Sequence, residues 1–284
     1  MAETTITSAK AWSPDLQAFA PNDIIPEALI LRTSTVAGSI EGDEPAVRVP
    51  YVDDAAAEFV AEGDEIPEAD PTLAEAVVHT GKVSQLVRVS REQLAQPNAH
   101  QLLSTSVARA VTNRANEAYI AQAAPSSPNV TPPAGILNIA GILDGGTIDG
   151  DLDVLADAFA SIETNKGSVT RVIAAPDAWG SLRKFKTGTG AATSLLGAGT
   201  NDAEKRLFGV EVITSHAVPS GTIIALDQSA IISAVGQVQV QQSEHVYFTS
   251  DSIGIRCTWR FGATLVRPDR VAKLTVTPPT EPAA

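Results

Sequence analysis

Cysteine is almost absent: Cys257 stands alone among 284 residues, so no disulfide can form within the chain and a disulfide scaffold is excluded. The four histidines, His79, His100, His216 and His245, are widely separated, which leaves few soft metal ligands and no zinc-finger spacing. Aromatics make up only 5%, so Ala, Val, Ile and Leu must fill the core. No apolar run approaches the roughly 18 residues of a membrane span, because Pro, Gly, Gln or a charge interrupts each one. Positive charge is short as well, 20 Lys and Arg against 33 Asp and Glu, and the net of −13 excludes a protein that lives by gripping nucleic-acid phosphates. Residues 1–12 lack the apolar core of a signal peptide, so export is not expected. What is present is 44% hydrophobic residues, enough for one large domain or two ordinary ones in a reducing compartment.

The charge is concentrated. Between Glu41 and Glu75 twelve acids face one base, Arg48, for a local net of −11. Extended sequence flanks this run: Val47, Val49 and Tyr51 alternate before it and Val83 to Val89 is rich in β-branched residues after it, which predicts a long acidic hairpin or loop projecting from the body. Tyr51, Phe59, Val60, Ile66 and Leu73 punctuate the acids, and apolar residues on an acidic loop point to docking against another chain.

Ser90 to Gln93 has the spacing of a capping box. Beyond Pro97, the residues Leu103, Val107, Val111, Ala115, Ala118 and Tyr119 recur every three or four positions, predicting one helix over 99–123, with Arg109, Asn113, Arg114 and Glu117 on its other face. Residues 124–150 read as an ordered loop. Helices around 152–162 and 176–185, the second with proline in its first turn, and strands at 169–174, 210–213, 222–226 and 230–233 predict a small α/β subdomain, with a Gly-rich mobile loop at 186–201. From Val238 the period becomes two: Ile253, Ile255, Cys257, Trp259 and Phe261 share one face of a half-buried strand, and Gly254, Arg256, Thr258 and Arg260 the other. Residues 256–273 hold five bases and one acid.

No catalytic constellation emerges. There is no G-x-S-x-G elbow, and Ser215 and His216 have no identifiable acid partner. Gly81-Lys82 lacks the earlier glycine of a phosphate loop, and Gly188-x-Gly190 lacks the third glycine of a dinucleotide fingerprint. Asp144, Asp149, Asp151 and Asp153 read as turn and cap residues, since Val154 stands where a calcium loop needs glycine. Cys257 reads as a small buried hydrophobe.

The order of several phrases carries more. Phe59 to Pro67 (FVAEGDEIP), then Lys82-Val83, then Val87 to Leu94 (VRVSREQL), followed by a long helix, resembles the major capsid proteins of tailed bacteriophages. Pro133-Ala134-Gly135-Ile136-Leu137 is similar to that family's P-x-G-I-L turn. Gly209 to Val212 with Ser215 and the stretch Pro219 to Ile223 resembles its G-x-P-V segment and following strand, and Trp259-Arg260-Phe261-Gly262 with Pro268 its closing strand. Together these span most of residues 45–276.

The resemblance implies an α+β protein of the Hong Kong 97 type capsid fold. Residues 1–40 would form an N-terminal arm and 41–89 the extended β-hairpin loop. Residues 90–134 would form a peripheral domain with the spine helix, 135–233 an axial α/β domain, and 234–284 the returning peripheral strands and tail. It implies no enzyme, no cofactor and no metal, but a chain that assembles with itself into hexamers and pentamers of an icosahedral virion shell around double-stranded DNA. Assembly would take place in the host cytoplasm, with a portal protein as partner, any scaffold or decoration protein as a separate chain, and no membrane. In that fold the loop lies across a neighbour, so Glu62, Asp64, Glu65 and Glu68 would meet Arg256, Arg260 and Arg270. No lysine lies between Lys10 and Lys82, so a cross-link delivered from the loop is not expected. The alternatives are an encapsulin-like nanocompartment shell with cargo enzymes, an α/β enzyme built on the central subdomain, and another phage structural protein of the tail or decoration kind.

Overall fold

The computed structural model describes residues 16–19, 21, 25–40, 42, 44–53, 59–60, 68, 72–94, 99–188, 193–196 and 205–279. Its longest strand follows from the alternation in the sequence. In β13 (Ser252–Leu265) Ile253, Ile255, Cys257, Trp259 and Phe261 are 1% to 6% exposed, while Arg256 between them faces out. One edge of β13 pairs with β5 (Gly81–Ser90). The other pairs first with β12 (Val238–Tyr247) and then with β11 (Ile231–Gly236). β2 (Thr35–Ile40) joins β11 in parallel and β1 (Leu16–Phe19) joins β12 antiparallel, completing a six-stranded sheet.

A long helix covers the inner face of that sheet. The Ser90 hydroxyl accepts the Gln93 amide at 3.2 Å, capping the single turn α2 (Arg91–Leu94). α3 (Ala99–Ala121) then buries Val107, Val111, Ala115 and Tyr119 and exposes Arg109, Arg114 and Glu117. The short helix α1 (Leu29–Thr33) is pinned to α3 by polar bonds, Leu29 N donating to Asn116 Oδ1 at 2.8 Å and the Thr33 and Tyr119 hydroxyls meeting at 2.9 Å. Burial holds the Tyr119 hydroxyl far above its ordinary pKa, so it stays protonated. The P-A-G-I-L-N stretch closes the far end of α3: Gly135 N donates to Gln122 O at 2.9 Å, and Asn138 Nδ2 reaches Ala121 O at 3.0 Å and Gln122 O at 2.8 Å. A Cβ at position 135 would lie 2.6 Å from Gln122 N, so only glycine fits.

A second six-stranded sheet has the order β6-β14-β10-β7-β9-β8. These strands are β6 (Leu143–Ile148), β7 (Arg171–Ala174), β8 (Arg206–Leu207), β9 (Val210–Thr214), β10 (Thr222–Leu226) and β14 (Val271–Val276). Helices α4 (Asp153–Thr164) and α5 (Pro176–Lys184) bury Leu155, Phe159, Ile162, Ala178 and Leu182 in a core continuous with that of the first sheet.

Two expected boundaries differ from the strand pairing. Val271–Val276, expected with the returning strands, lies between β6 and β10 in the second sheet, while Ile231–Gly236, whose start was expected in the α/β subdomain, belongs to the first. Both segments are short apolar strands, and their local pattern does not encode which sheet will take them. The loop expected over 41–89 is likewise shorter. β3 (Ala46–Asp53) and β4 (Thr72–His79) form a separate two-stranded ribbon of eight residue pairs, whereas β5 runs along β13 through ten. Most of the expected loop at 186–201 lies outside the described residues.

Candidate assembly interface

The ribbon is two-faced. Val47, Val49 and Val78 point inward and meet Ile40, Ile232 and Ala234 in a small core of their own. On the outer face Val52 is 48% and Leu73 81% exposed, and Arg48 pairs with Glu75 at 3.1 Å. Beyond the paired strands Phe59 is fully exposed. Of the expected contact acids Glu68 is exposed, while Glu62, Asp64 and Glu65 lie outside the described residues.

The root of the ribbon is held tightly to β13. A Cβ at Gly262 would fall 2.0 Å from the His79 carbonyl oxygen, which explains glycine in the W-R-F-G phrase: the chain crosses there in near contact. Thr80 Oγ1 donates to Glu44 O at 2.6 Å, Thr80 N to Pro45 O at 2.9 Å, and Arg260 Nη1 to Thr80 Oγ1 at 3.1 Å. Trp259 Nε1 donates to Gly236 O at 2.9 Å, satisfying the one polar group of a side chain 1% exposed.

Beside this root the outer face of the first sheet is basic. Register puts Lys82 opposite Arg260, Leu86 opposite Arg256 and Arg88 opposite Gly254, so the alternating residues of β5 and β13 share a face. A groove of about 690 Å³ runs here, lined by Lys82, Arg256 and Arg260 with Gln237, Gln239 and Thr258, and among the described lining residues there is no carboxylate. Arg256 bonds the Gln241 side chain, and Arg88 stacks over the Tyr247 ring at 5.0 Å. At the far end Arg91 pairs with Glu244 at 3.4 Å and Asp251 at 2.9 Å, which closes off the positive stripe.

Arg256 and Arg260 are therefore brought together, with Lys82 and Arg88 as neighbours that residue type alone did not point to. The strand register was the signal that could have found them. Arg270 belongs elsewhere. Its side chain is 15% exposed, donates from Nε to Asn165 O at 3.0 Å, and lies 3.8 Å from Asp227, which is itself buried. It joins the crossover between the sheets to α4, so it is removed from the expected contact set.

The residues weighed for chemistry serve local structure. Asp144 accepts the Gly146 amide at 3.1 Å and Asp151 the Asp153 amide at 3.2 Å, turn and cap roles. Ser215 accepts the Ala217 amide at 3.2 Å. Cys257 is buried, and desolvation pushes its thiol pKa up, away from the reactive thiolate. Among the described residues no group of three or more His, Cys, Asp or Glu could hold a metal ion.

A family model described as "Phage capsid family" matches residues 27–276. The chain belongs to the phage capsid family. Solved structures agree on the fold along nearly the whole length. One from Microbacterium phage Oxtober96 is 15% identical with a TM-score of 0.66, covering 98% of this chain and 96% of that one. One from Mycobacterium phage Bobi is 14% identical with a TM-score of 0.67, covering 96% and 97%. The capsid of an empty GTA particle is 13% identical with a TM-score of 0.68, covering 98% and 95%. A search of curated proteins found no match. The fold of this capsid protein is of the Hong Kong 97 type, and its role is that of a shell subunit; a cargo-enclosing compartment is not favoured.

Proposed function

We propose that this capsid protein assembles into hexamers and pentamers of an icosahedral shell around packaged double-stranded DNA, without catalysis. The acidic segment between β3 and β4, with Glu62, Asp64, Glu65 and Glu68, docks on the groove of Lys82, Arg256 and Arg260 in an adjacent copy. The observation that carries this reading is the pairing of opposites on one chain: an acidic segment between β3 and β4, and a groove whose described lining residues include three cations and no acid. Such complementarity steers encounter and fixes register more than it adds affinity. The net charge of −13 supports confinement of DNA in place of tight binding, since a shell that gripped its genome would resist packaging and release. A portal protein completes the shell, any scaffold or decoration protein comes as a separate chain, and assembly takes place in the host cytoplasm.

Arg256 is the clean probe, because Arg260 also holds the ribbon root and Arg270 is internal. Arg256→Glu is expected to leave the thermal unfolding of the subunit within about 0.5 kcal/mol of wild type while sharply lowering the yield of shells or rings in negative-stain microscopy. Raising salt from about 0.1 M to about 1 M, which shortens the Debye length from roughly 10 Å to roughly 3 Å, is expected to mimic the substitution. Shell yield indifferent to both changes would overturn the docking.

A further inference from the structure

A second cavity, of about 290 Å³, opens at the foot of the ribbon between the last turns of α3, the start of β5 and residues 132–139. Val83, Ala118, Ile136, Ile139 and Phe261 make it apolar, and among the described lining residues the charged side chains are Lys82 and Arg114. Arg114 is held beside the opening by Gln122 at 2.9 Å and Glu117 at 3.3 Å. A space of this size, at the lower edge of small-ligand pockets, takes one large side chain. An apolar floor with a cationic rim calls for an apolar group flanked by acids.

Phe59 has that character: it is fully exposed, and Glu58 and Glu62 flank it in sequence. We infer that Phe59 of one copy seats in this cavity on a second copy, as the aromatic anchor of the contact between them. The cavity adjoins the root, where Gly81 packs on Pro133, and the eight residue pairs from His79 to Thr72 carry the chain away over about 25 Å at roughly 3.3 Å per residue. A buried aromatic at the centre of an interface dominates its energetics, while the surrounding charges exclude alternatives and set orientation. The inference rests on the assembly reading above and adds the residue that fixes the register of the ribbon on its neighbour.

The test uses the full chain with Cys257→Ala, which removes its only thiol, and the paired substitutions Phe59→Cys and Ser84→Cys, Ser84 lining the cavity and exposed. Oxidised shells run on a non-reducing denaturing gel are expected to give a ladder of covalent oligomers that neither single-cysteine variant gives. Normal shells with only a monomer band would overturn the seating of Phe59 and leave the shell function intact, and so would a cross-link confined to one chain. Wild-type protein that never forms shells or rings would instead overturn the assembly reading itself. If the double variant does not assemble, Phe59→Ala and Phe59→Leu decide. Alanine is expected to lower shell yield roughly tenfold or more, with leucine restoring most of it. Wild-type yield from the alanine variant would reject the inference.

Discussion

β10 and the β3–β4 ribbon are both built from β-strands, yet they sit at opposite ends of what burial can do. In β10 all five residues from Thr222 to Leu226 are buried, β14 and β7 pair with its two edges, and Ile223 to Leu226 are 0% exposed. Among the described residues the ribbon's strands pair only with each other, and one face is covered, near its root, by Ile40, Ile232 and Ala234. A lone two-stranded ribbon is marginal in water, and toward its outer half Val52 and Leu73 stand 48% and 81% exposed among the described residues. The difference teaches where the two requirements of a shell subunit are met: the second sheet shares the main core that holds the subunit together, and the ribbon supplies surface left over for assembly.

The largest expected effect tests that division directly. Ile224→Ala in β10 should destabilise the subunit by about 2–5 kcal/mol, because it removes fully buried methyl and methylene groups and leaves a cavity in close packing. Leu73→Ala on the ribbon, where the side chain is 81% exposed, should change subunit stability by no more than about 0.5 kcal/mol and act on shell yield instead. Urea denaturation of unassembled protein reads the first quantity. Similar losses at both positions would erase the contrast.

Next in size is the joint between the two regions. Gly262→Ala should cost about 1–3 kcal/mol, since the new Cβ has backbone, not a yielding side chain, 2.0 Å away at His79. The damage should be local: hydrogen exchange should quicken in β3 and β4 while β10 stays protected. Gly180, inside α5 with nothing within 4 Å of an added Cβ, is the control, and alanine there should be neutral or stabilising by up to about 1 kcal/mol. Uniform loss of protection after Gly262→Ala would show that the ribbon and the body unfold as one unit.

This contrast was partly legible in the sequence. Period-two alternation in β13 gave its buried face residue by residue, the 3.6-residue period gave α3, and the alternation of Val47, Val49 and Tyr51 marked β3, whereas most of the acidic run lies outside the described residues. Three features were not legible, for one physical reason. The place of β14, the membership of β5 in the first sheet, and the internal use of Arg270 all depend on partners far along the chain. Val271–Val276 has the same apolar character whether it closes the first sheet or the second. Arg270 looks like any basic residue until Asp227 and Asn165 stand beside it. The basic groove was half legible: Arg256 and Arg260 follow from alternation, but Lys82 joins them only through a pairing across 178 positions of sequence.

The smallest expected effect lies at the edge of the stable region and depends on pH. Asp177, in the first turn of α5, accepts hydrogen bonds from the Ser220 hydroxyl and from Gly221 N, the latter at 2.8 Å, and so ties the helix to the turn that leads into β10. The Ser220 bond is the main cause that lowers its pKa below the ordinary 3.8; slight burial opposes this, and backbone amides add to it. A carboxyl whose folded pKa lies below its unfolded value stabilises the fold above the unfolded pKa and loses that contribution as pH falls through the folded one. The Tm difference between wild type and Asp177→Asn should therefore be constant above about pH 5 and shrink below about pH 4. The shift should be small, since the carboxylate remains largely in water, and hydrogen exchange should place it at α5 and the start of β10 and leave the ribbon unchanged. A Tm difference that grows on acidification would reverse the sign assigned to this bond, and a change in the ribbon would show that the two regions are coupled where the packing keeps them separate.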